Sequence, residues 1–369
     1  MAKNKLTEEE LVTRIRGEIS DSLGYMGDTI SHQREQAMKY YYGLPFGNEV
    51  DGRSQYVDST VQDTIEWIKP SLMRVFASGD EMVKFSPQGP EDVKMSEQAS
   101  DYVNYVFTKD NPGWEILYSW FTDALLSKNG IVKVWWNEYE EEEREEYKGL
   151  DEIALQALLM QKDVEVVEHS EYDNDYGEVE HDLVIKRKPY NGKIKIENIP
   201  PSEFLISREA KSLPEARFVC HRVLRTLSEL REMYPDKDLE HEDLGAGDDD
   251  MASFSGERLE RYEFDKSAQF FEGWGGDPTY GEDGLRTYWL HESFLKTDFN
   301  GDGITELRKV CTVGSTVLQN DEIDSIPFVS ITPVKIPHKF FGLSIADLVM
   351  DLQLMKSTLM RNLMDNMYN

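Results

Sequence analysis

Apolar residues along this chain repeat first by threes and fours and later by twos. The segment Leu6-Thr7-Glu8-Glu9-Glu10-Leu11 opens the first helix. Thr7 serves as N-cap, Glu10 completes a capping box, and Leu6 and Leu11 take the staple positions. Ile15, Ile19 and Leu23 carry the helix on. Gly24 and Gly27 are expected to weaken it before a second stretch over residues 31–42. Another helix is predicted over 58–78, with Val61, Ile65, Ile68, Leu72, Val75 and Phe76 on one buried stripe. Pro70 lies inside it and predicts a kink or a break. A further helix over 92–108 carries Ala99, Tyr102, Val103 and Val106 on one face. The next covers 114–128 with Leu117, Trp120, Phe121, Ala124 and Leu125, and Asn129-Gly130 ends it.

Ile131 to Trp136 reads as a buried strand. Next come seven glutamates within residues 138–146, too many carboxylates to pack without partners, so a solvated helix face or a mobile loop is expected. A short helical stretch covers 150–161. From Val164 the period becomes two, with strands predicted at 164–167, 178–188 and 193–196. Asn191-Gly192 between the last two predicts a hairpin turn. Strands follow at 218–224, 285–294, 304–312 and 316–319, with a short helix at 227–234 and a long acidic and glycine-rich excursion at 236–284. The chain closes in a helix over 344–367. Helices, then antiparallel strands, then a helix make an α+β pattern. The division expected is 1–130 helical, 131–335 strand-rich, and 336–369 a long helix.

Charge narrows the function classes. The 369 residues carry 40 Lys and Arg against 71 Asp and Glu, a net charge of −31. Tight sequence-independent DNA binding uses clustered basic residues, so a DNA partner would pass by this chain and not be gripped. Acidity that serves only solubility is the plainer alternative. No stretch reaches the roughly 20 apolar residues of a membrane span, and the start has no apolar signal core. Two cysteines far apart, Cys220 and Cys311, offer neither a disulfide framework nor a cysteine zinc site.

The sharpest motif is Asp298-Phe299-Asn300-Gly301-Asp302-Gly303-Ile304-Thr305-Glu306. Asp298, Asn300 and Asp302 stand at positions 1, 3 and 5 of a calcium loop, Gly303 at the turn, the Ile304 carbonyl at position 7 and Glu306 at position 9. Lys309 occupies position 12, where an EF-hand needs a carboxylate, and the flanks read as strands. The expectation is a structural Ca²⁺ loop at a hairpin tip; an ion-free Asp/Asn/Gly turn is the alternative. Lys186, Arg187, Lys188, Lys193 and Lys195 place five positive charges on the predicted hairpin. They suit contact with DNA phosphate or an acidic partner, or simply balance local acid. Nucleophile elbows, zinc-protease motifs and phosphate-binding loops are missing, and His169, His181, His221, His241, His291 and His338 lack metal-ligand spacing. No catalytic residue is assigned. The last helix carries Leu348, Leu352, Met355, Leu359, Leu363 and Met367, which fits either one core helix of a monomer or a subunit interface.

Several segments together resemble the portal proteins of short-tailed, podovirus-type phages. They are Tyr41-Tyr42-Gly43 with Asp51-Gly52-Arg53-Ser54; Ile65 to Phe76; Lys128-Asn129-Gly130 leading into Lys133-Val134-Trp135-Trp136; Ile199 to Ile206; the Asp298 loop; and Phe341 to Leu348 with Gln353, Arg361, Asn362 and Asp365-Asn366. The resemblance implies a homo-oligomeric ring, typically of twelve subunits, at one capsid vertex of the virion. Double-stranded DNA is packaged and ejected through it, and the terminase motor, tail adaptor proteins, scaffold and major capsid protein are its partners. It also implies wing, clip and stem regions: the N-terminal helices to the wing, the middle strands partly to the clip, the last helix to the stem. Assembly would take place in the host cytoplasm. Such proteins run on past the point where this chain stops, so a fragment or one piece of a split portal is expected. The competing readings are a calcium-stabilised structural or adhesion protein and a metal-dependent nuclease.

Overall fold

The structure, a computed structural model, describes residues 5–77, 79, 82–140, 143–159, 164–173, 179–187, 190–237, 239 and 287–368. They form helices and antiparallel sheets in two compact units. The first holds Met1–Asn104, Pro112–Lys133 and Glu197–Asn369; the second holds Tyr105–Asn111 and Val134–Ile196.

In the first unit, α1 (Glu8–Tyr25) starts on the expected capping box. The Thr7 side chain accepts from the Glu10 amide, and the Glu10 side chain accepts from the Thr7 amide. Gly24 and Gly27 do not end the helical run. It passes through a π-helical turn (Met26–Ser31) into α2 (His32–Tyr41). Met26 and Ile30 are buried, so packing holds this stretch helical against its glycines. The helix α3 (Thr60–Ala77) likewise runs through Pro70 without a break. Pro70 is exposed, on a side where water can meet the carbonyl left without a donor. Its buried stripe is Val61, Ile65, Lys69 and Met73; Val75 and Phe76 are exposed instead of continuing it.

The helix α4 (Val93–Tyr105) departs further from expectation. It buries Ser100 and Asn104, while Tyr102 is exposed. The cause is a neighbouring extended segment that needs partners. The Asn104 side chain accepts from the amides of Met82 and Val83 and donates to the Val83 carbonyl, and Ser100 accepts from the Phe85 amide. The helix α5 (Gly113–Ser127) then ends at Lys128, whose φ is 75°.

Five strands make the large antiparallel sheet of this unit, in the order β10-β9-β8-β7-β6. They are β6 (Phe204–Ile206), β7 (Phe218–Thr226), β8 (Thr287–Thr297), β9 (Glu306–Val313) and β10 (Thr316–Glu322). A short helix, α7 (Leu227–Met233), follows β7 on a second capping box, Thr226 with Glu229. The N-terminal residues of β1 (Gly130–Glu140) pair with β11 (Phe328–Ile331), from Gly130 opposite Ile331 to Lys133 opposite Phe328. Leu11, Ile15, Ile19 and Leu23 of α1 pack into one core with Phe204, Phe218, Phe294 and Phe328 of the strands. The last helix, α8 (Ile345–Tyr368), meets α2, α3 and α5 in another core, where Ala346 joins Ala37, Met38, Val61, Ile65 and Leu125. No helix among the described residues is long and apolar enough to cross a membrane.

The second unit corrects two expectations. Of the acidic run, residues 138–140 lie at the end of β1 and 143–146 at the start of β2 (Glu143–Leu150), not on a helix face, and residues 141 and 142 lie outside the described residues. β2 pairs antiparallel with β4 (Val179–Arg187), in a register that sets Glu143 opposite Arg187, Arg144 opposite Lys186, Glu145 opposite Ile185 and Glu146 opposite Val184. The second correction concerns Asn191-Gly192. β4 has β2 on one edge and β3 (Val164–Asp173) on the other, so it forms no hairpin with β5 (Tyr190–Ile199). Asn191 and Gly192 lie inside β5. A Cβ on Gly192 would come within 2.3 Å of the Trp136 ring, so the glycine admits an indole and does not make a turn. A short helix, α6 (Glu152–Leu159), connects β2 and β3. Asn111 bonds β5 as a strand would, donating to the Ile194 carbonyl and accepting from the Ile196 amide.

Candidate subunit interface and loop site

The helix α8 begins on a reciprocal cap: Ser344 Oγ accepts from the Asp347 amide and an Asp347 carboxylate oxygen accepts from the Ser344 amide. The same Asp347 carboxylate lies 2.5 Å from the Nζ of buried Lys128. Along the helix, polarity is inverted. Gln353, Ser357 and Arg361, spaced by four, are buried, whereas Leu348, Leu352, Met355, Leu359, Leu363 and Met367 are 50–77% exposed.

The buried side chains are all used. Gln353 accepts from the Val61 amide and donates to the Tyr40 carbonyl. Ser357 accepts from the Asp58 amide. Arg361 donates to the Tyr56 carbonyl, to Asn48 and to Glu49. Further on, Asp365 accepts from the Ser54 amide. The segment over residues 46–61, which lacks regular structure up to α3, takes its hydrogen bonds from this face. What remains outward is a stripe of large apolar side chains on a helix about 36 Å long. Each such side chain gains about 1.5–3 kcal/mol when fully buried, and contiguous patches of this kind are uncommon on monomers.

The Asp298 loop lies between β8 and β9, at the hairpin tip where it was expected. Asp298 accepts from the amides of Gly301 and Gly303, Asn300 from that of Asp302, and Asp302 from that of Ile304. Glu306 accepts from the Asn300 amide and pairs with Arg308 at 2.9 Å. Gly303 has φ +93°, the left-handed turn that glycine makes at little cost. The loop's own amides therefore occupy its side-chain oxygens. Among the described residues no three of His, Cys, Asp and Glu gather as an ion-holding group.

The five basic residues are separated by the strand order. Lys186 and Arg187 belong to β4, Lys193 and Lys195 to β5, and Lys188 lies outside the described residues. The Nζ of Lys195 stands over the Trp135 ring at 5.3 Å.

Tertiary packing assembles one cluster that spacing could not reveal. Glu292 of β8 pairs with Lys133 of β1, with Lys309 of β9 at 2.9 Å and with His221 of β7 at 3.7 Å. Burial alone would raise the Glu292 pKa, but the neighbouring His221 and the two lysines hold the carboxyl well below the ordinary range. Lys309, the residue at position 12 of the loop pattern, is thus committed to this cluster. Among the other histidines, His169 and His181 lie 3.1 Å apart on β3 and β4, and His241 lies outside the described residues. Burial pushes the Cys220 thiol up to about 12 and that of Cys311 to about 11, so both stay protonated and poorly nucleophilic at neutral pH.

No curated protein compared with the chain matches it. A family model described as phage SU10 portal protein matches residues 11–369, nearly the whole sequence. SU10 is a podovirus-type phage, the class named by the resemblance. Its family is structural and not enzymatic, and implies an oligomeric ring at a capsid vertex of the virion. By this match the chain belongs to the phage SU10 portal protein family.

Proposed function

We propose that copies of this chain close into a portal ring through which double-stranded DNA is packaged and ejected, and that the outward stripe of α8 is a contact between neighbouring copies. The observation that carries the reading is the inversion of that helix. Its polar residues are spent on the chain's own segment 46–61, which leaves Leu352, Met355, Leu359 and Leu363 for another molecule. The net charge of −31 supports passage of DNA over retention. In this reading the ring has twelve subunits. Terminase docks on it during packaging, tail adaptor proteins follow, and scaffold and major capsid protein surround it. The N-terminal helices serve as wing, part of the strand-rich middle as clip, and α8 as stem.

The Asp298–Glu306 loop enters the proposal as a structural Ca²⁺ site. The spacing of Asp298, Asn300 and Asp302 with the turn glycine Gly303 supports it, because oxygen ligands at positions 1, 3 and 5 and glycine at position 6 are the pattern of a calcium loop.

Native mass spectrometry and negative-stain microscopy of the full chain test the ring. A closed ring is expected; a strict monomer at high concentration overturns the reading.

A further inference from the structure

A cleft of about 760 Å³ in the first unit has the opposite charge to the rest of the molecule. Lys211, Lys296, Lys335 and Lys339 line it against a single acid, Asp324. In a chain with 71 acids, several lysines of this unit are neutralised: Lys39, Lys69, Lys128, Lys133 and Lys309 each stand beside a carboxylate. The four cleft lysines are exposed, and among the described residues none has such a partner. Lys296 donates only to the Pro214 carbonyl, at 2.8 Å.

The floor has a second property. Phe328, Val329 and Ser330 of β11 are consecutive, and their side chains alternate between the two faces of the strand, yet all three line the cleft. The cleft therefore follows the edge of β11 and not one of its faces. Among the described residues that strand is the terminal one of its sheet and pairs with β1 on one side only. Beside it the lining is aliphatic, with Val329 half exposed and Ile326 and Ile336 partly so.

We propose that this cleft takes an extended acidic segment of a partner protein, added as a strand to the free edge of β11. Its backbone bonds the edge, alternate apolar side chains lie on the aliphatic floor, and its carboxylates meet the four lysines. A duplex DNA backbone is the less suitable occupant. The floor offers apolar side chains where phosphate would need donors. The proposal is independent of the ring reading, since the cleft is built from one copy.

The test is fluorescence anisotropy of the full chain with a labelled alternating Glu-Val peptide. Saturable binding is expected, weakened about tenfold or more in the combined variant Lys211→Gln, Lys296→Gln, Lys335→Gln, Lys339→Gln. A Lys-Val peptide should not bind, and the Glu-Val peptide with N-methylated amides should bind at least about tenfold more weakly, because strand addition needs its N–H groups. The peptide comparisons use the unaltered protein, so they decide the matter even if the variant fails to fold. Absent binding, equal binding of the Lys-Val or N-methylated peptide, or displacement of the Glu-Val peptide by a short DNA duplex at lower concentration overturns the proposal.

Discussion

The Nη2 of Arg361 on α8 lies 2.6 Å from Oε1 of Glu49, and both side chains are about nine-tenths buried. This pair joins the last helix to the segment that follows α2. Glu49 in turn accepts from the amides of Phe46 and Gly47. Burial would raise the Glu49 pKa, but the Phe46 amide, the Arg361 guanidinium and the Gly47 amide together lower it. Replacing Arg361 with Ala leaves a desolvated carboxylate and three lost donor contacts. The expected loss is about 3 kcal/mol of unfolding free energy, read from urea denaturation. Arg361→Lys keeps the charge but not the fork, and should lose less. A variant as stable as the parent would show that the segment is held by other means.

The outward stripe of α8 separates association from folding. Leu352 and Leu359 are 50% and 69% exposed, so Leu352→Asp with Leu359→Asp should change stability by about 0.5 kcal/mol or less per site. The same pair should abolish the ring by native mass spectrometry, because two carboxylates would be buried unpaired at every contact. An intact ring in this variant would move the subunit contact elsewhere.

In the Asp298 loop, Asp298→Ala removes two amide caps at once. The hairpin should lose about 1–2 kcal/mol, visible as a lowered thermal midpoint. Calorimetry with Ca²⁺ is expected to give a binding heat that this variant abolishes. Identical titrations in both proteins would remove calcium from the account of the loop.

His291 makes stability depend on pH. Burial first, then the Arg222 and Arg16 charges, lower its pKa from 6.5 to about 4. Between these values the unfolded chain binds a proton that the folded chain does not, so this contribution falls as pH drops from 6.5 to 4. It is fully present above 6.5, and its whole size is about 3 kcal/mol. His291→Gln should flatten the difference in denaturant midpoint between pH 7 and pH 5 relative to the parent. An unchanged difference would assign the pH dependence to other groups; Glu292 is not among them, because its contribution is lost only below the ordinary carboxylate range.

Local signals were readable where one segment satisfies itself. The capping box at Thr7 and Glu10, the core positions Leu11, Ile15 and Ile19 and the site of the Asp298 turn all follow from neighbours within a few residues. Readings failed where a distant segment decides. Asn191-Gly192 has the composition of a hairpin turn, but Trp136 claims the space over Gly192, and β2 and β3 already occupy both edges of β4. Tyr102 and Val103 of α4 form an apolar face by period, yet Ser100 and Asn104 are buried because residues 82–85, which belong to no helix or strand, need donors and acceptors.

The last helix shows the division most plainly. Sequence by itself determined that residues 344–367 form a helix, that Leu348, Leu352, Met355, Leu359, Leu363 and Met367 lie on it together, and, through motifs distributed along the chain, which family the protein resembles. It could not determine which face turns inward. Periodicity records that apolar residues lie together, and the hydrophobic effect has no direction of its own: a stripe can be buried within one chain or between two. Tertiary structure decided it, because Gln353, Ser357 and Arg361 find amide and carbonyl partners on residues 40–61, and burying them there leaves the apolar stripe outside.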